Sequence, residues 1–441
     1  MLPRFELAGR ARPVDLVAPG TDLAAPLAPY LAIEGVLAGT GVVDLTLAGG
    51  EVRLRGRYDG GLALAVTAGG RTTHHRSRRW SRPEGPVDAV GLTLTGTHLA
   101  VLARAGTSWT VCGRGDLAGR VDTRDEAWLG SLTAAATGAV GEVRAGRFGQ
   151  LGLRDLRLVT HADGRPYREG HEVLLTATSA GPGFFDTAHT SVWALDPGTL
   201  ALRHRSDLFF RRPGSGPGAR PGVFGDHASH LLRDGDRWLV ATSTWGDFDR
   251  RAPGATVSVT LAETGADLLD GAHVLDTRAL ALPTTGLRSV GTWDPHLVHT
   301  TDGWLVGYVS ASRFFRFHPV LATGASLDDL ILRAAAPDRR ATEGPTLLRL
   351  GGEWWLLASD GRGGRPGQRE RYPVFDLTLA EVGALDAPYP TNIPWPTLVE
   401  DGNGWLMVGF DGTRYGGPLV GYGSHGDVVF ARGPAPRTLA M

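Results

Sequence analysis

The chain has 441 residues, and its 12 Trp, 14 Phe and 42% hydrophobic residues supply enough apolar surface to exclude a disordered protein. Its 45 basic residues are all Arg, which excludes Schiff-base chemistry on Lys and the phosphate-binding Lys of a P-loop. The formal net charge of −1 gives no overall basic field for nucleic acid or for an anionic membrane surface. We therefore predict a globular protein with a neutral partner, no nucleic-acid partner and no membrane partner.

The first residues and the cysteine content predict the compartment. The opening segment, MLPRFELAGRARPVDL, has charged residues where a secretory signal needs an apolar run. The single cysteine, Cys112, excludes an intramolecular disulfide framework and a zinc site built on several cysteines. We therefore expect a cytoplasmic protein in which Cys112 is a small buried hydrophobic residue.

Residues 1–160 have the pattern of short antiparallel strands. Segments such as VRLRGRY alternate apolar with charged residues, and Gly-Gly pairs at 49–50, 60–61 and 69–70 are typical of hairpin turns. Similar segments follow at the spacing of a sandwich or jelly roll. We predict an N-terminal β-sandwich, jelly-roll-like, over residues 1–160. In this interpretation Asp155, in GLRDLRLV, is a structural residue of the last sandwich strand.

A repeat in residues 161–441 predicts a second domain. The four segments that align are GDHASHLLRDGDRWLVATS from Gly225, WDPHLVHTTDGWLVGYVS from Trp293, TEGPTLLRLGGEWWLLAS from Thr342 and PWPTLVEDGNGWLMVGF from Pro394. Each is a strand, a turn containing Gly and a strand bearing Trp, and a looser copy begins near Gly164. Five copies of roughly 50 to 70 residues fit four-stranded blades better than the shorter, uniform repeats of a solenoid. The sequence therefore predicts an all-β chain in which a five-bladed β-propeller follows the sandwich.

Acidic residues open three of the aligned copies, at Asp226, Asp294 and Glu343. The first strand of each propeller blade runs beside the central axis, so residues that open the copies can converge at one mouth of the tunnel. Three carboxylates brought together repel one another and raise one pKa, which separates a proton donor from an ionised base. That division is the chemistry of glycoside hydrolysis. Each acid could instead hold a turn or buried backbone at a strand start.

These segments resemble glycoside hydrolase family 43 and its five-bladed propeller relatives over about residues 220–430. The resemblance implies an inverting glycosidase for arabinofuranoside-like or xyloside-like substrates, with no required cofactor. It implies that Asp226 is the general base, that Asp294 orients the acid and tunes its pKa, and that Glu343 is the general acid. In GYGSHGDVVFARG, His425 resembles an axial His beside a metal or a water, which leaves a structural Ca²⁺ near His425 as an open prediction.

Five more residues are predicted to contact the sugar, namely His227, Trp293, His296, Trp395 and His425. Tryptophan rings stack on the apolar face of a sugar, although tryptophans in the positions of Trp293 and Trp395 more often pack between blades. The imidazole of His227, beside Asp226, could bind a sugar hydroxyl or only the backbone. No set of metal-ligating residues is predicted.

Two other functions stay open from the sequence. One is a carbohydrate-binding propeller without catalysis, and the other is a lyase or a retaining glycosidase on the same scaffold. Carboxyl groups separated by ~6.5–9.5 Å favour inversion, and a separation of ~5–5.5 Å favours retention. In each case the expected partner is an oligosaccharide or glycoside, and the sequence does not name the sugar.

Overall fold

The computed structural model describes residues 3–23, 26–213, 222–402, 404–413 and 426–434. These residues form β-strands in seven sheets, one short helix, α1 (Glu126–Gly130), and a 3₁₀ turn at Phe185–Thr187. The first strand, β1 (Glu6–Ala11), belongs to the last sheet. Among the described residues, no helix has the length and apolarity needed to span a membrane.

The next eleven strands form two antiparallel sheets. The strands are β2 (Asp15–Val17), β3 (Tyr30–Leu37), β4 (Val43–Gly49), β5 (Val52–Tyr58), β6 (Leu62–Ala68), β7 (Arg71–His75), β8 (Ala89–Thr95), β9 (His98–Ala105), β10 (Ser108–Asp116), β11 (Thr133–Gly138) and β12 (Val140–Gln150). One sheet has the order β10-β9-β8-β3-β12-β2, and the other has the order β11-β4-β5-β6-β7.

Alternation of apolar residues builds one core between these two sheets. Successive side chains of a strand point to opposite faces, so every second residue of β4 is buried. Leu45 and Leu54 of the five-stranded sheet share a core cluster with Ile33 and Leu92 of the six-stranded sheet. Cys112 lies in the same cluster, which confirms that it is a buried residue. Burial raises the pKa of its thiol to about 11.

Five sheets follow, here called sheets I to V. Sheet I contains β13 (Leu153–Leu158), β15 (Arg168–Glu169), β16 (Glu172–Ser179), β17 (His189–Leu195), β18 (Leu202–Arg211), β19 (Val223–Phe224) and β23 (Gly271–Asp276). Sheet II contains β14 (Thr160–His161), β20 (His227–Asp234), β21 (Arg237–Ser243), β22 (Val259–Thr264) and β24 (Arg278–Ala279). Sheet III contains β25 (Thr292–Thr300), β26 (Gly303–Arg313), β27 (Arg316–Gly324) and β28 (Ile331–Ala335). Sheet IV contains β29 (Thr342–Leu350), β30 (Glu353–Asp360), β31 (Tyr372–Phe375) and β32 (Glu381–Leu385), and sheet V contains β33 (Thr397–Glu400), β34 (Gly404–Asp411), β35 (Asp427–Pro434) and β1.

Hydrogen bonds join each of these sheets to the next and the last to the first. The bonds run from Thr190 Oγ1 to the Asp226 carbonyl, from the Leu297 N–H to His230 Nδ1, from the Leu347 N–H to His296 Nδ1, from Ser359 Oγ to the Pro394 carbonyl and from Thr397 Oγ1 to the Leu156 carbonyl. We call β13, β20, β25, β29 and β33 the leading strands, because each is the strand through which its sheet meets a neighbour. The cyclic order brings the starts of the leading strands to a common centre.

The two ends of the described chain meet in sheet V. Strand β1 pairs antiparallel with β35, and the guanidinium of Arg12 donates to Asp427 at 2.6 and 2.9 Å. The predicted boundary at residue 160 does not coincide with this pairing, since β1 and β13 both lie before it and both belong to the five later sheets. Alternation alone could not separate β13 from the preceding strands, because a strand shows the same period in either sheet.

A buried charged cluster links the N-terminal sheets to sheet I. Asp207 of β18 accepts from Arg147 of β12 at 3.1 Å, and its other oxygen lies 3.1 Å from His189 and 2.9 Å from His204. Burial by itself opposes the charge of Asp207, but the two histidines hold the pKa of this carboxyl well below its usual range. The ring of Tyr30 packs 5.4 Å from that of His189 on the N-terminal side. The interface therefore contains both an ion pair and aromatic packing.

Candidate active site

A cavity of about 280 Å³ lies where the leading strands of sheets I, III and IV begin. Its wall contains three carboxylates, Asp155 of β13, Asp294 of β25 and Glu343 of β29. Every Asp and Glu of the chain falls within the described ranges, so no acid elsewhere in the sequence can complete this set. The volume is close to the lower end of the ~300–1,000 Å³ typical of small-molecule sites. The cavity therefore suits a small ligand.

A β-bulge in each of these three strands positions its carboxylate. The pairing shifts between Arg154 and Arg157, between Trp293 and His296, and between Glu343 and Thr346. The residues inside the bulges have left-handed backbone, with φ of 52° at Asp155, 56° at Asp294 and 68° at Gly344. Asp adopts this region more readily than most residues, and Gly adopts it at little cost. Bulges of this kind redirect side chains beside active sites.

The register at the bulges differs from the sequence alignment of the three predicted acids. Sheet II has the same bulge, but Ala228, with φ of 58°, occupies the place that Asp155 and Asp294 hold in their sheets. Asp226 comes two residues before that place, and Glu343 comes one residue before its equivalent in sheet IV. The prediction that three acids share one aligned position is therefore wrong, because the copies were matched on their hairpins, and hairpin matching does not reveal the register inside a bulge.

Asp226 lies outside the cavity, in a buried ion pair. Its side chain has no exposed surface, and its oxygens accept from Arg212 Nε at 2.8 Å and from the Gly246 N–H at 3.0 Å. Arg212 also donates to Asp247 at 2.6 Å. The structure thus brings Asp294 and Glu343 together and does not bring Asp226 to them.

Burial and a neighbouring charge favour the protonated form of Glu343. These two causes, with Asp155 supplying the charge, raise the pKa of Glu343 to about 8, and they outweigh a hydrogen bond from Trp293 and the charge of Arg154. Glu343 therefore holds a proton at neutral pH. A carboxylic acid that keeps its proton in a cavity can act as a general acid.

Asp294 is also held away from ionisation. Burial, followed by the charges of Glu343 and Asp155, raises its pKa well above the usual value. The charge of Arg157 and a hydrogen bond from the Gly344 N–H, at 3.2 Å, act in the opposite direction. The bond from Gly344 also ties Asp294 of sheet III to the bulge of sheet IV.

Arg157 supplies positive charge beneath the carboxylates. It is fully buried, its Nη1 donates to the Pro345 carbonyl at 2.7 Å, and its guanidinium lies 4.7 Å from the ring centre of Trp395. Burial lowers its pKa to about 10, although the charges of Asp294 and Asp155 oppose that change. With Arg154 of the cavity wall, two guanidinium groups face three carboxyl groups, and this excess of acid groups is consistent with retention of a proton on Glu343.

Aromatic side chains form much of the remaining wall. Phe185 stacks on Trp245 with ring centres 4.6 Å apart, and Trp245 lies 5.3 Å from Trp293. The other aromatic residues of the wall are Phe248, Phe314, Phe315, Phe317 and Trp395. Such rings can pack against the apolar face of a sugar. Most of them lie outside the aligned segments, which is why the repeat did not reveal them.

The predicted sugar-contacting residues divide into two groups. Trp293 and Trp395 line the cavity, whereas His227 and His296 are buried and are absent from its wall. The Nδ1 atom of His227 lies 3.0 Å from the Gly225 carbonyl. His296 accepts from the backbone of sheet IV through Nδ1, and burial lowers its pKa well below the usual value. For His227 the geometry fits the alternative of backbone binding, and His296 likewise binds backbone and does not line the cavity.

His425 lies outside the described residues, so both its predicted sugar contact and the Ca²⁺ near it stay predictions. Within residues 3–413 and 426–434, apart from the gaps given above, no group of three His, Cys, Asp or Glu side chains could hold a metal ion.

The sequence interpretation missed Asp155 as a residue of the cavity. A pattern that could have identified it is the acid, apolar, basic order of Asp155-Leu156-Arg157, which recurs in Asp294-Pro295-His296. In both segments the acid occupies the left-handed position of a bulge and the basic residue follows where regular pairing resumes.

Comparison with known proteins gives similarity at the level of solved structures. No model of a protein family matches the chain, and no curated protein sequence matches it. The chain is similar to a thermostable family-43 glycoside hydrolase, with 14% identity over 64% of this chain and 89% of that chain and a TM-score of 0.41. It is also similar to a family 117 glycoside hydrolase from Zobellia galactanivorans, with 12% identity over 64% of this chain and 84% of that chain and a TM-score of 0.46. A third similar structure is an inulosucrase from Halalkalicoccus jeotgali bound to kestose, with 14% identity over 59% of this chain and 76% of that chain and a TM-score of 0.46.

Proposed function

We propose that the protein is a glycoside hydrolase in which Glu343 is the general acid and Asp155 is the general base. The observation that carries the proposal is the protonated Glu343, with a pKa raised to about 8, in a cavity that it shares with Asp155. Glycoside hydrolysis needs one carboxyl group that donates a proton and one that accepts a proton or attacks. Asp155 replaces Asp226 in this assignment because Asp226 is bound to Arg212 outside the cavity.

The proposed reaction begins with a glycoside whose terminal ring lies in the cavity. Glu343 transfers its proton to the glycosidic oxygen as the bond to the anomeric carbon breaks. Asp155 accepts a proton from the water that attacks the same carbon, so the products are a free sugar and a free alcohol. The oxocarbenium-like transition state lies between the two carboxyl groups, where the charge of Asp155 and the charge that develops on Glu343 as its proton leaves stabilise it.

Asp294 acts in this proposal as a positioning residue. Its carboxyl group accepts from the Gly344 N–H, next to Glu343 in the chain, so it fixes the backbone that carries the acid. Its proximity to Glu343 also couples the ionisation of the two groups. We propose that Asp294 keeps the acid oriented and does not donate to the sugar.

The same proposal includes the architecture. We infer that sheets I to V are the blades of a five-bladed β-propeller, with the two N-terminal sheets as a β-sandwich. The cyclic order of hydrogen bonds among the five sheets and the shared core of the N-terminal pair support this interpretation. A propeller brings residues from several leading strands to one axial cavity.

The size of the cavity favours cleavage of a terminal sugar. A cavity of about 280 Å³ with aromatic walls suits a small ligand such as one terminal sugar ring. We propose an arabinofuranoside-like or xyloside-like substrate, cleaved with inversion, as the family resemblance of the sequence implies.

A panel of 4-nitrophenyl glycosides tests the function. The panel contains α-L-arabinofuranoside, β-D-xyloside, β-D-galactoside and β-D-glucoside, each incubated with the wild type and with Glu343→Gln. We expect release of nitrophenol from at least one member by the wild type, and proton NMR of the first product should show inversion at the anomeric carbon. Release that is equal for the two proteins would contradict the role of Glu343, and a product of retained configuration would make Asp155 a nucleophile.

A further inference from the structure

A second cavity, of about 610 Å³, adjoins the cavity of the three carboxylates. The two cavities share the side chains of Phe185, Phe248 and Phe315 in their walls. A glycosidase that holds the terminal ring beside Glu343 must accommodate the rest of its substrate in the adjoining space. The second cavity is therefore the place where a leaving group would lie.

The N-terminal sheets supply one wall of this second cavity. Arg114 of β10 reaches sheet I, where its guanidinium lies 5.9 Å from the ring centre of Phe184. A Cβ at Gly183 would lie 2.8 Å from Arg114 Nη1, so the glycine allows the close approach. Arg124 follows β10 in the chain and donates to the Gly246 carbonyl at 3.3 Å. Two arginines of the N-terminal region thus reach loops that border the carboxylate cavity.

The arginines of this cavity do not form ion pairs with the aspartates that line it. Four of them line it, at Arg114, Arg124, Arg250 and Arg251. None forms an ion pair with a described carboxylate, and the remaining stretches of the sequence contain no Asp or Glu. Apart from the Arg124 N–H that donates to Gly246, no ion pair occupies the donors of these guanidinium groups within the described residues.

The aspartates of the same cavity already have partners. Asp186 lies 3.1 Å from His98, and Asp247 accepts from Arg212 at 2.6 Å. Asp116 and Asp249 accept from backbone N–H groups of their own turns, at Ala118 and Arg251. The wall thus contains four arginines without an ion-pair partner among the described residues, beside two aspartates that accept only from backbone N–H groups.

We propose that the second cavity binds the leaving group of the substrate and that this leaving group carries an oxyanion, either a uronate carboxylate or a sulfate ester. The proposal rests on the glycosidase function above and adds the chemical class of the substrate. Guanidinium groups bind carboxylate and sulfate through paired N–H donors, and these hydrogen bonds are stronger than bonds to neutral hydroxyl groups. Arg114 and Arg124 bind the anion, and Arg250 and Arg251 border the cavity.

Binding of small sugars tests the proposal without any turnover. The probes are D-glucuronate, D-glucose 6-sulfate and D-glucose, titrated into the full-length wild type at constant ionic strength and followed by NMR. We expect one or both anionic probes to bind at least about tenfold more tightly than glucose, because hydrogen bonds to charged groups are the stronger ones. The probe that binds distinguishes a carboxylate from a sulfate.

Variants assign the binding to this cavity. Arg114→Gln should lower the affinity for the anionic probe about tenfold or more. Arg124→Gln provides a second variant if the first does not fold. Arg71→Gln, on the exposed strand β7 of the same region, is the matched control and should bind like the wild type. Equal affinity for glucose and both anions, or an affinity that survives both cavity variants, would overturn the proposal.

The nitrophenyl panel separates failure of this inference from failure of the proposed function, because nitrophenol is a small leaving group without a carboxylate or a sulfate. Hydrolysis that depends on Glu343, together with equal binding of all three probes, would retain the glycosidase and reject the anionic leaving group. Binding of an anion that depends on Arg114, without any hydrolysis on the panel, would retain the anion site and reject the proposed reaction on those glycosides.

Discussion

Glu343 is the residue whose protonation controls the proposed chemistry. Burial and the charge of Asp155 raise its pKa to about 8, so the acid is protonated at neutral pH and loses its proton as the pH rises through that value. We expect kcat/KM to fall on the alkaline side with an apparent pKa near 8, because this profile reports the essential acid of the free enzyme. The measurement is a pH–rate profile on the best substrate of the panel. A rate that stays level to pH 10 would contradict the assignment.

Replacing Glu343 should affect poor leaving groups most. Glu343→Gln removes the proton donor but keeps the shape of the side chain, and general acid catalysis contributes about 10²–10⁴-fold. We expect a loss of that size on an unactivated disaccharide and a smaller loss on a nitrophenyl glycoside, whose leaving group needs less protonation. Equal losses on the two substrates would indicate that Glu343 does not protonate the leaving group.

The same buried acid makes stability depend on pH. A carboxyl group whose folded pKa is raised binds more protons in the folded state than in the unfolded state, so its ionisation destabilises the fold as the pH rises from about 4.5 through about 8. We expect Glu343→Gln to raise the melting temperature relative to the wild type at pH 9, with little difference at pH 4. Glu353→Gln, at an exposed position of β30, is the control and should show no such trend. A wild type that is the more stable protein at pH 9 would contradict burial of an ionised Glu343.

At the scale of the element, the bulges of the leading strands position the carboxylates of the cavity. Gly344 shows the constraint most clearly, since its φ is 68° and an added Cβ would lie 2.4 Å from Trp395 Cδ1. Left-handed backbone costs an ordinary residue about 1–2 kcal/mol, and forcing an extra atom into a packed core costs about 1–3 kcal/mol more.

Gly344→Ala should therefore destabilise the protein by more than a second glycine replacement in the same sheet. The control is Gly351→Ala, because Gly351 has a φ of 60° and has open space where a Cβ would lie. We expect Gly351→Ala to lower the free energy of unfolding only by the cost of left-handed backbone. Gly344→Ala should lower it by that cost and by the cost of the clash with Trp395, as measured by urea unfolding. Equal free energies of unfolding for the two variants would show that Trp395 does not pack against this bulge.

Much of the strand pattern could be predicted from the sequence, but the register at the bulges could not. The hairpins that open sheets II, III, IV and V are local, so alternation, a turn and a Trp-bearing strand indicate each of them. The bulge depends on pairing with the next strand, and one extra residue moves every later side chain to the other face. That is why the sequence grouped Asp226 with Asp294 and Glu343, whereas the cavity contains Asp155 in its place.

Over the whole molecule, strand β1 connects the start of the chain to the last sheet. Removing residues 1–12 would leave β35 as an unpaired edge and break the ion pairs of Arg12 with Asp427 and of Arg10 with Asp411. We expect the truncated protein to melt at a lower temperature and to aggregate more readily. A double variant, Arg10→Gln with Arg12→Gln, should show a much smaller fall in melting temperature, because partly exposed ion pairs contribute only about 0–1 kcal/mol each to stability. Equal melting temperatures for the truncated protein and the wild type would contradict closure of sheet V by β1.

The identity of the second catalytic carboxylate is the central claim about the molecule as a whole, because it depends on the meeting of sheets I and IV. The direct measurement is kcat/KM of Asp155→Asn and Asp226→Asn on one substrate, with folding of both variants checked by circular dichroism. We expect Asp155→Asn to lose about 10²–10⁴-fold in kcat/KM. We expect Asp226→Asn to be less stable but to keep its turnover, because it loses only a buried partner of Arg212. A folded Asp155→Asn with wild-type turnover, beside an inactive Asp226→Asn, would contradict the claim and return the role of base to Asp226.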